Sequence, residues 1–249
     1  MKRRKIAAGN WKMNLRRNEA LQLAMALRDT EAQAEVILFP PFVYLTELIA
    51  ATVGKPIQYG AQNLCDRENG AFTGEISAPM LQSIGVSHVL IGHSERRQYF
   101  HEDHELLKTK LQVAMSYGLH PVFCCGEPRE VRLAEQQENY VMKQLEESLF
   151  ALSEEAMQQV VIAYEPVWAI GTGLTATPGQ AQEMHAFIRK QLNWRYGADV
   201  AQQVRILYGG SVTAGNAAAL FTQPDVDGGL VGGASLKAED FTAIIHAAS

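Results

Sequence analysis

Short apolar, β-branched runs alternate with helix-periodic segments along the whole chain, and they do so eight times. The runs fall at residues 5–9, 36–39, 58–62, 88–91, 120–124, 160–163, 205–207 and 226–230. Between the first two, Ala20, Leu23, Ala24 and Leu27 recur at helical spacing. Helical patterns follow at 43–51 and 104–117, and Val131, Ala134, Val141, Leu145 and Leu149 predict one long charged helix. Thr177-Pro178-Gly179-Gln180 is a helix start, with Thr as cap, Pro in the first turn and Gln closing a capping box. Thr213 is expected to cap the next helix, and Ser235 to open a last one that buries Phe241, Ile244, Ile245 and Ala248. Helical crossovers between apolar strands imply a parallel sheet covered on both faces. Eight such units in 249 residues are what a single (β/α)8 barrel domain, residues 1–249, requires. A doubly wound sheet is the competing architecture, but it has fewer strands as a rule, and no linker or low-complexity stretch divides this chain.

The remaining bulk properties exclude several functions. A formal net charge of −5 without a basic stripe argues against nucleic acid as a main partner. The basic start at residues 2–5 is followed by only three apolar residues before Gly9-Asn10, too few for a signal-peptide core. No apolar run approaches transmembrane length, so no membrane association is expected. Cys65, Cys124 and Cys125 form no Cys-x-x-Cys pattern, and no His pair has metal-ligand spacing. A reduced cytoplasmic chain without metal fits these counts, with Cys124 and Cys125 expected as buried thiols on opposite faces of one strand and a strained vicinal disulfide as the alternative.

Barrel active sites lie just past the C-terminal ends of the strands. Beyond the sixth run comes Glu165-Pro166, and proline stops the strand there. Trp168 and Ile170 follow on a segment that ends Gly171-Thr172-Gly173. A carboxylate under a glycine-tipped loop bearing large apolar groups reads as a strand-end carboxylate beneath a loop that can move, an apolar lid that would exclude water when closed. A solvated glutamate before an ordinary loop is the alternative, and it leaves the exposed tryptophan and isoleucine unexplained. Lys12, past the first run, can neutralise an anionic substrate or be a plain surface charge. His93 ends the fourth run at a helix start, where the dipole lowers its pKa and favours a neutral, hydrogen-bonding imidazole; a structural histidine is the other reading. Tyr208-Gly209-Gly210-Ser211 and Leu230-Val231-Gly232-Gly233 end the last two runs. Two successive glycine-rich strand ends suit phosphate, which bare backbone N–H groups can hold.

Five blocks, in order, carry a resemblance: Gly9 to Asn14, Ile91 to Arg97, Ala163 to Gly173, Tyr208 to Val212 and Leu230 to Ser235. Together they resemble the triosephosphate isomerase family, whose fold is the TIM barrel. The resemblance implies cofactor-independent interconversion of dihydroxyacetone phosphate and D-glyceraldehyde 3-phosphate through an enediolate, in glycolysis and gluconeogenesis. It implies Glu165 as base, neutral His93 as electrophile and Lys12 as the cation that binds substrate. Asn10 orients its neighbours, and Glu95 pairs with Lys12. Gly171, Ser211, Gly232 and Gly233 give N–H groups to phosphate. Tyr208 and Ser211 hold the closed lid carrying Trp168, while Ile170 and Leu230 crowd the base. Glu127 is expected to support Trp168 and Arg97. A homodimer is implied as well, with Thr73 at the tip of a loop, residues 70–77, that enters the neighbour's site; an ordinary glycine-bounded surface loop is the alternative, and it would leave Phe72 and Ile76 exposed without a partner. Leu174 departs from the lysine common at the lid's far hinge, and Pro128 from the usual Thr or Ser. A non-catalytic phosphometabolite-binding or assembly protein on the same scaffold is the alternative, but such a chain would be expected to have lost the base or the electrophile.

Overall fold

In the computed structural model, which describes residues 3–171 and 175–249, eight parallel strands close into a barrel in the order β1 to β8. They are β1 (Ile6–Asn10), β2 (Glu35–Phe39), β3 (Ile57–Ala61), β4 (His88–Ile91), β5 (His120–Cys125), β6 (Val161–Tyr164), β7 (Arg205–Tyr208) and β8 (Gly228–Val231). The helices are α1 (Arg17–Leu27), α2 (Leu45–Ala51), α3 (Ala78–Ser83), α4 (Ser94–Phe100), α5 (His104–Ser116), α6 (Arg129–Leu133), α7 (Gln137–Ser148), α8 (Glu154–Met157), α9 (Pro178–Tyr196), α10 (Ala198–Gln203), α11 (Ala217–Phe221) and α12 (Ala238–Ala247). No helix among the described residues is long and apolar enough to cross a membrane.

Period-two alternation sorts the strand residues into two cores. Ile6, Ala8, Ile37, Leu90, Val122, Cys124, Ala163 and Leu207 fill the barrel interior. Their neighbours Ala7, Val36, Leu38, Val89, Ile91, Phe123, Cys125 and Ile206 face the helices. Cys124 and Cys125 thus lie in different cores, and both are free thiols. Burial pushes both thiols up, Cys125 to about 12, so neither is a ready nucleophile. The ring closes where β8 pairs with β1, Ile6 opposite Gly228. A Cβ on Gly228 would lie 1.9 Å from the Ile6 carbonyl oxygen, and its φ is +115°, so only glycine fits.

The N-terminal mouth of the barrel is plugged by polar side chains from several strands. Glu35 accepts from Gln58 at 2.9 Å and from Arg205 at 2.7 Å, and His88 Nε2 lies 3.9 Å away. His88 Nδ1 is 2.8 Å from the Ser87 hydroxyl, and its ring stands 5.3 Å from that of His120. Burial pushes His88 down to about 3, with the charges of His120 and Arg205 acting in the same direction.

Three helical readings change. The predicted long helix breaks into α6 and α7, because Glu135 takes a left-handed φ of 56°. Thr213 does not cap a helix: α11 starts after Asn216, whose side chain accepts the Thr213 N–H at 2.8 Å. Ser235 sits in a 3-10 turn, Gly233–Leu236, and its hydroxyl donates to Gly232 O, so α12 begins only after Lys237. The capping box at Thr177 and Gln180 forms as the sequence predicts.

Candidate active site

Glu165 is fixed by the strands on both sides of β6. Its N–H donates to Cys125 O at 2.7 Å, and Gly209 N–H donates to Tyr164 O at 2.7 Å. Gly126 makes the first approach possible, since a Cβ there would lie 1.7 Å from Glu165 O. The side chain is turned inward and 2% exposed. Its Oε1 lies 3.0 Å from His93 Nε2, and its Oε2 accepts the Ser94 N–H at 2.9 Å. Burial alone would raise the Glu165 pKa. The His93 ring and the Ser94 N–H outweigh it, and the carboxyl lies below its ordinary value.

His93 is the N-cap of α4, and its Nδ1 accepts the Glu95 N–H at 3.3 Å. In the neutral ring the proton therefore belongs on Nε2, facing Glu165. The sequence predicts a lowered pKa here, and the structure reverses the sign. Burial does disfavour the charged ring, but the adjoining Glu165 carboxylate more than offsets it, and His93 is raised.

Lys12 closes the other side. Its Nζ is 2.6 Å from Glu95 Oε1, the pairing the resemblance implies. Lys12 holds a left-handed φ of 50°, rare for a long side chain. Two contacts secure it: the Asn10 side-chain oxygen accepts the Lys12 N–H at 3.0 Å, and Gln62 donates to Lys12 O at 2.8 Å. Gln62 also bonds Phe39 O at 2.9 Å, tying the loop after β1 to the end of β2. The sequence reading missed Gln62; its place at a strand end was the available signal.

These groups meet at one cavity of about 290 Å³ at the C-terminal mouth. Asn10, Lys12, His93 and Glu165 form one side. Ile170, Gly171, Ser211, Leu230, Gly232 and Gly233 form the other, so the catalytic candidates and the glycine-rich strand ends share one space. Leu230 is buried in the barrel interior and Ile170 is partly exposed. Tyr208 lies below, fully buried; burial pushes its hydroxyl up to about 12, against the pull of the Ala176 backbone. Among the described residues no three or more His, Cys, Asp or Glu side chains are gathered as a metal ion would need.

At the near end of the lid, Trp168 Nε1 donates to Glu127 at 2.8 Å, and the Tyr164 hydroxyl donates to the same carboxylate at 2.9 Å. Burial raises the Glu127 pKa, against the pull of these donors. Arg97 does not join them; its guanidinium donates to Gly92 O and Cys124 O at 2.8 and 2.9 Å. The lid tip Thr172-Gly173-Leu174 lies outside the described residues, and the Leu174 departure with it. Thr73 is exposed on its loop and does not line this cavity. Phe72 beside it is 46% exposed, whereas Ile76, expected to be exposed, packs partly buried against the core.

The family model described as triosephosphate isomerase matches residues 5–248. Triosephosphate isomerase of Cytophaga hutchinsonii is 51% identical, across 96% of this chain and 97% of its own length. Those of Acetivibrio thermocellus and Bacteroides fragilis are 50% and 49% identical, each over 98% of this chain. Agreement of that extent leaves no part of the barrel or its mouth unmatched, and the chain belongs to the triosephosphate isomerase family.

Proposed function

We propose that Glu165, His93 and Lys12 carry out in this chain the interconversion of dihydroxyacetone phosphate and D-glyceraldehyde 3-phosphate, a step of glycolysis and gluconeogenesis. The observation that supports this most is the shared cavity: base, electrophile and cation face the glycine-rich ends of β7 and β8 across one small space. Moving a proton between adjacent carbons needs a base, a donor to the carbonyl oxygen and a positive group for the enediolate. Glu165 is parked on His93 and Ser94 in the arrangement described. Turning toward substrate removes its carboxylate from the imidazole. Burial and the start of α4 then favour neutral His93, which donates from Nε2 to the substrate oxygen. Lys12 stabilises the enediolate charge, positioned by Glu95 and Asn10. Gly171, Ser211, Gly232 and Gly233 hold the phosphate through backbone N–H groups. The lid, from Trp168 onward, excludes water and protects the enediolate from losing its phosphate.

The protein acts as a homodimer in this reading, and its compartment is the cytoplasm, where the pathway runs. Met13, Tyr99 and Phe100 are 96%, 65% and 63% exposed around a second cavity beside Lys12 and Glu95. So much apolar surface at one mouth calls for a partner, and the loop bearing Phe72 and Thr73 from a second copy is its occupant.

The test is triose phosphate interconversion by the purified protein beside Glu165→Gln prepared identically. Rapid turnover by the first and a loss of at least about 10²-fold in the second is expected. Equal activity in both would remove Glu165 from the role of base.

A further inference from the structure

Arg132 belongs to none of the roles above, yet it reaches the near end of the lid and the helix that follows it. It lies on α6, with its side chain 17% exposed. Its Cζ stands 5.9 Å from the centroid of the Trp168 ring. Its Nη1 is 3.9 Å from Glu127 Oε1, the oxygen that accepts the Trp168 N–H. Its Nη2 is 3.6 Å from Glu183 Oε2 on α9, the helix that follows the lid. A guanidinium within about 6 Å of an indole face is attracted by the ring, more strongly where water is excluded. Nη1 is buried and makes no hydrogen bond among the described residues. A surface arginine would turn that group to water. Here it is turned inward, one short movement away from Glu127.

We propose that Arg132 is a positioning residue for the isomerisation: it braces the near end of the lid to α9 and so sets where the lid comes to rest over Glu165. The proposal rests on the isomerase reading of the site. A lid that must open and close each turnover needs its hinge returned to one place, and loops of this kind set many turnover rates. Losing the brace leaves the substrate-contacting groups untouched, so the effect falls on turnover and spares substrate affinity. Lysine restores the charge but not the planar fork, and recovers only part of it.

The test uses Arg132→Met, which keeps length without charge, with Arg132→Lys and Arg132→Gln beside it. Steady-state kinetics with glyceraldehyde 3-phosphate are read together with ¹⁹F spectra of the 5-fluorotryptophan-labelled protein, with and without 2-phosphoglycolate. The chain has three tryptophans, so the Trp168 resonance is assigned by its loss in Trp168→Phe. Expected for Met and Gln are a fall in kcat of about tenfold, on the scale of one such contact, and KM within about threefold. The Trp168 resonance shifts in the free enzyme and responds less to 2-phosphoglycolate, and Lys lies between these variants and the parent. A kcat within about twofold of the parent overturns the proposal. So does a loss of activity that tracks the unfolding midpoint while the Trp168 resonance stays put. A parent protein that binds 2-phosphoglycolate without turnover overturns the isomerase reading instead; the fluorine arm then decides alone, and an unmoved Trp168 resonance sinks the brace.

Discussion

Replacing His88 by phenylalanine should remove a defined share of the protein's sensitivity to acid. His88 is 2% exposed in the polar plug at the barrel's N-terminal mouth, and burial lowers its pKa from 6.5 to about 3. The unfolded chain therefore takes up a proton near 6.5 that the folded chain refuses until about 3. Between those values the unfolded state binds more protons, so stability falls as the pH falls through this window and is complete above it. At one pKa unit per 1.36 kcal/mol, the loss from this one ring is about 2 kcal/mol at pH 5 and about 4 kcal/mol near pH 3. The pH 5 figure depends almost wholly on the unfolded value, because a folded pKa anywhere below about 4 gives the same answer. The groups facing the ring are Glu35 from β2, Gln58 from β3, Ser87 beside it, His120 from β5 and Arg205 from β7. All of them remain in His88→Phe, and Ser87 keeps its bond to Tyr59 O at 3.1 Å. Urea unfolding at pH 7.5 and pH 5, at one protein concentration so that association does not intrude, gives two differences. The parent should lose about 2 kcal/mol more than the variant between the two pH values. Equal losses would refute the reasoning, and would mean that Glu35, 3.9 Å away, sustains a charged His88 inside the fold.

Other outcomes follow from other parts of the molecule. Lys12→Met should lower kcat/KM by about 10²-fold or more, since the cation facing the enediolate disappears, and a loss under fivefold in the same steady-state assay would remove Lys12 from the mechanism. Gly228→Ala should lower stability by at least about 3 kcal/mol in urea, because the new Cβ meets Ile6 O and β8 must part from β1; an unchanged midpoint would count against the closure geometry. Phe72→Asp should shift sedimentation from dimer to monomer and reduce activity with it, whereas an unchanged dimer would place the interface elsewhere.

The architecture was legible because its signals are local. Each strand is a short apolar run, and each major helix repeats at its own period. The glycine pairs and Glu165 could be placed at strand ends by counting. What escaped is what the chain brings together from afar. His93 and Glu165 come from β4 and β6, so a dipole argument built on residues 93–97 alone gave His93 the wrong direction. Glu135 has no side-chain chemistry that announces a left-handed turn, and the apolar periodicity across it read as one helix. Gln62 and Arg132 look like solvated polar residues in sequence; their partners, on other elements, give them a role. The plug of Glu35, Gln58, His88 and Arg205 was equally hidden, because a charged residue at the start of a strand reads as an ordinary edge.

Closure of β8 on β1 also constrains how the chain reaches this state. Until the segment around Gly228 exists, the growing polypeptide has two unpaired strand flanks and an interior open along one seam. Arg3 then waits for Asp227, to which it donates at 2.6 Å across 224 residues. A nascent chain stalled before this point presents bare β edges and half-covered aliphatic faces, the surfaces most prone to pairing with a neighbour. The seam is thus the last piece of the barrel that synthesis can supply, and chaperone binding should persist on the emerging chain until it is released and then end abruptly.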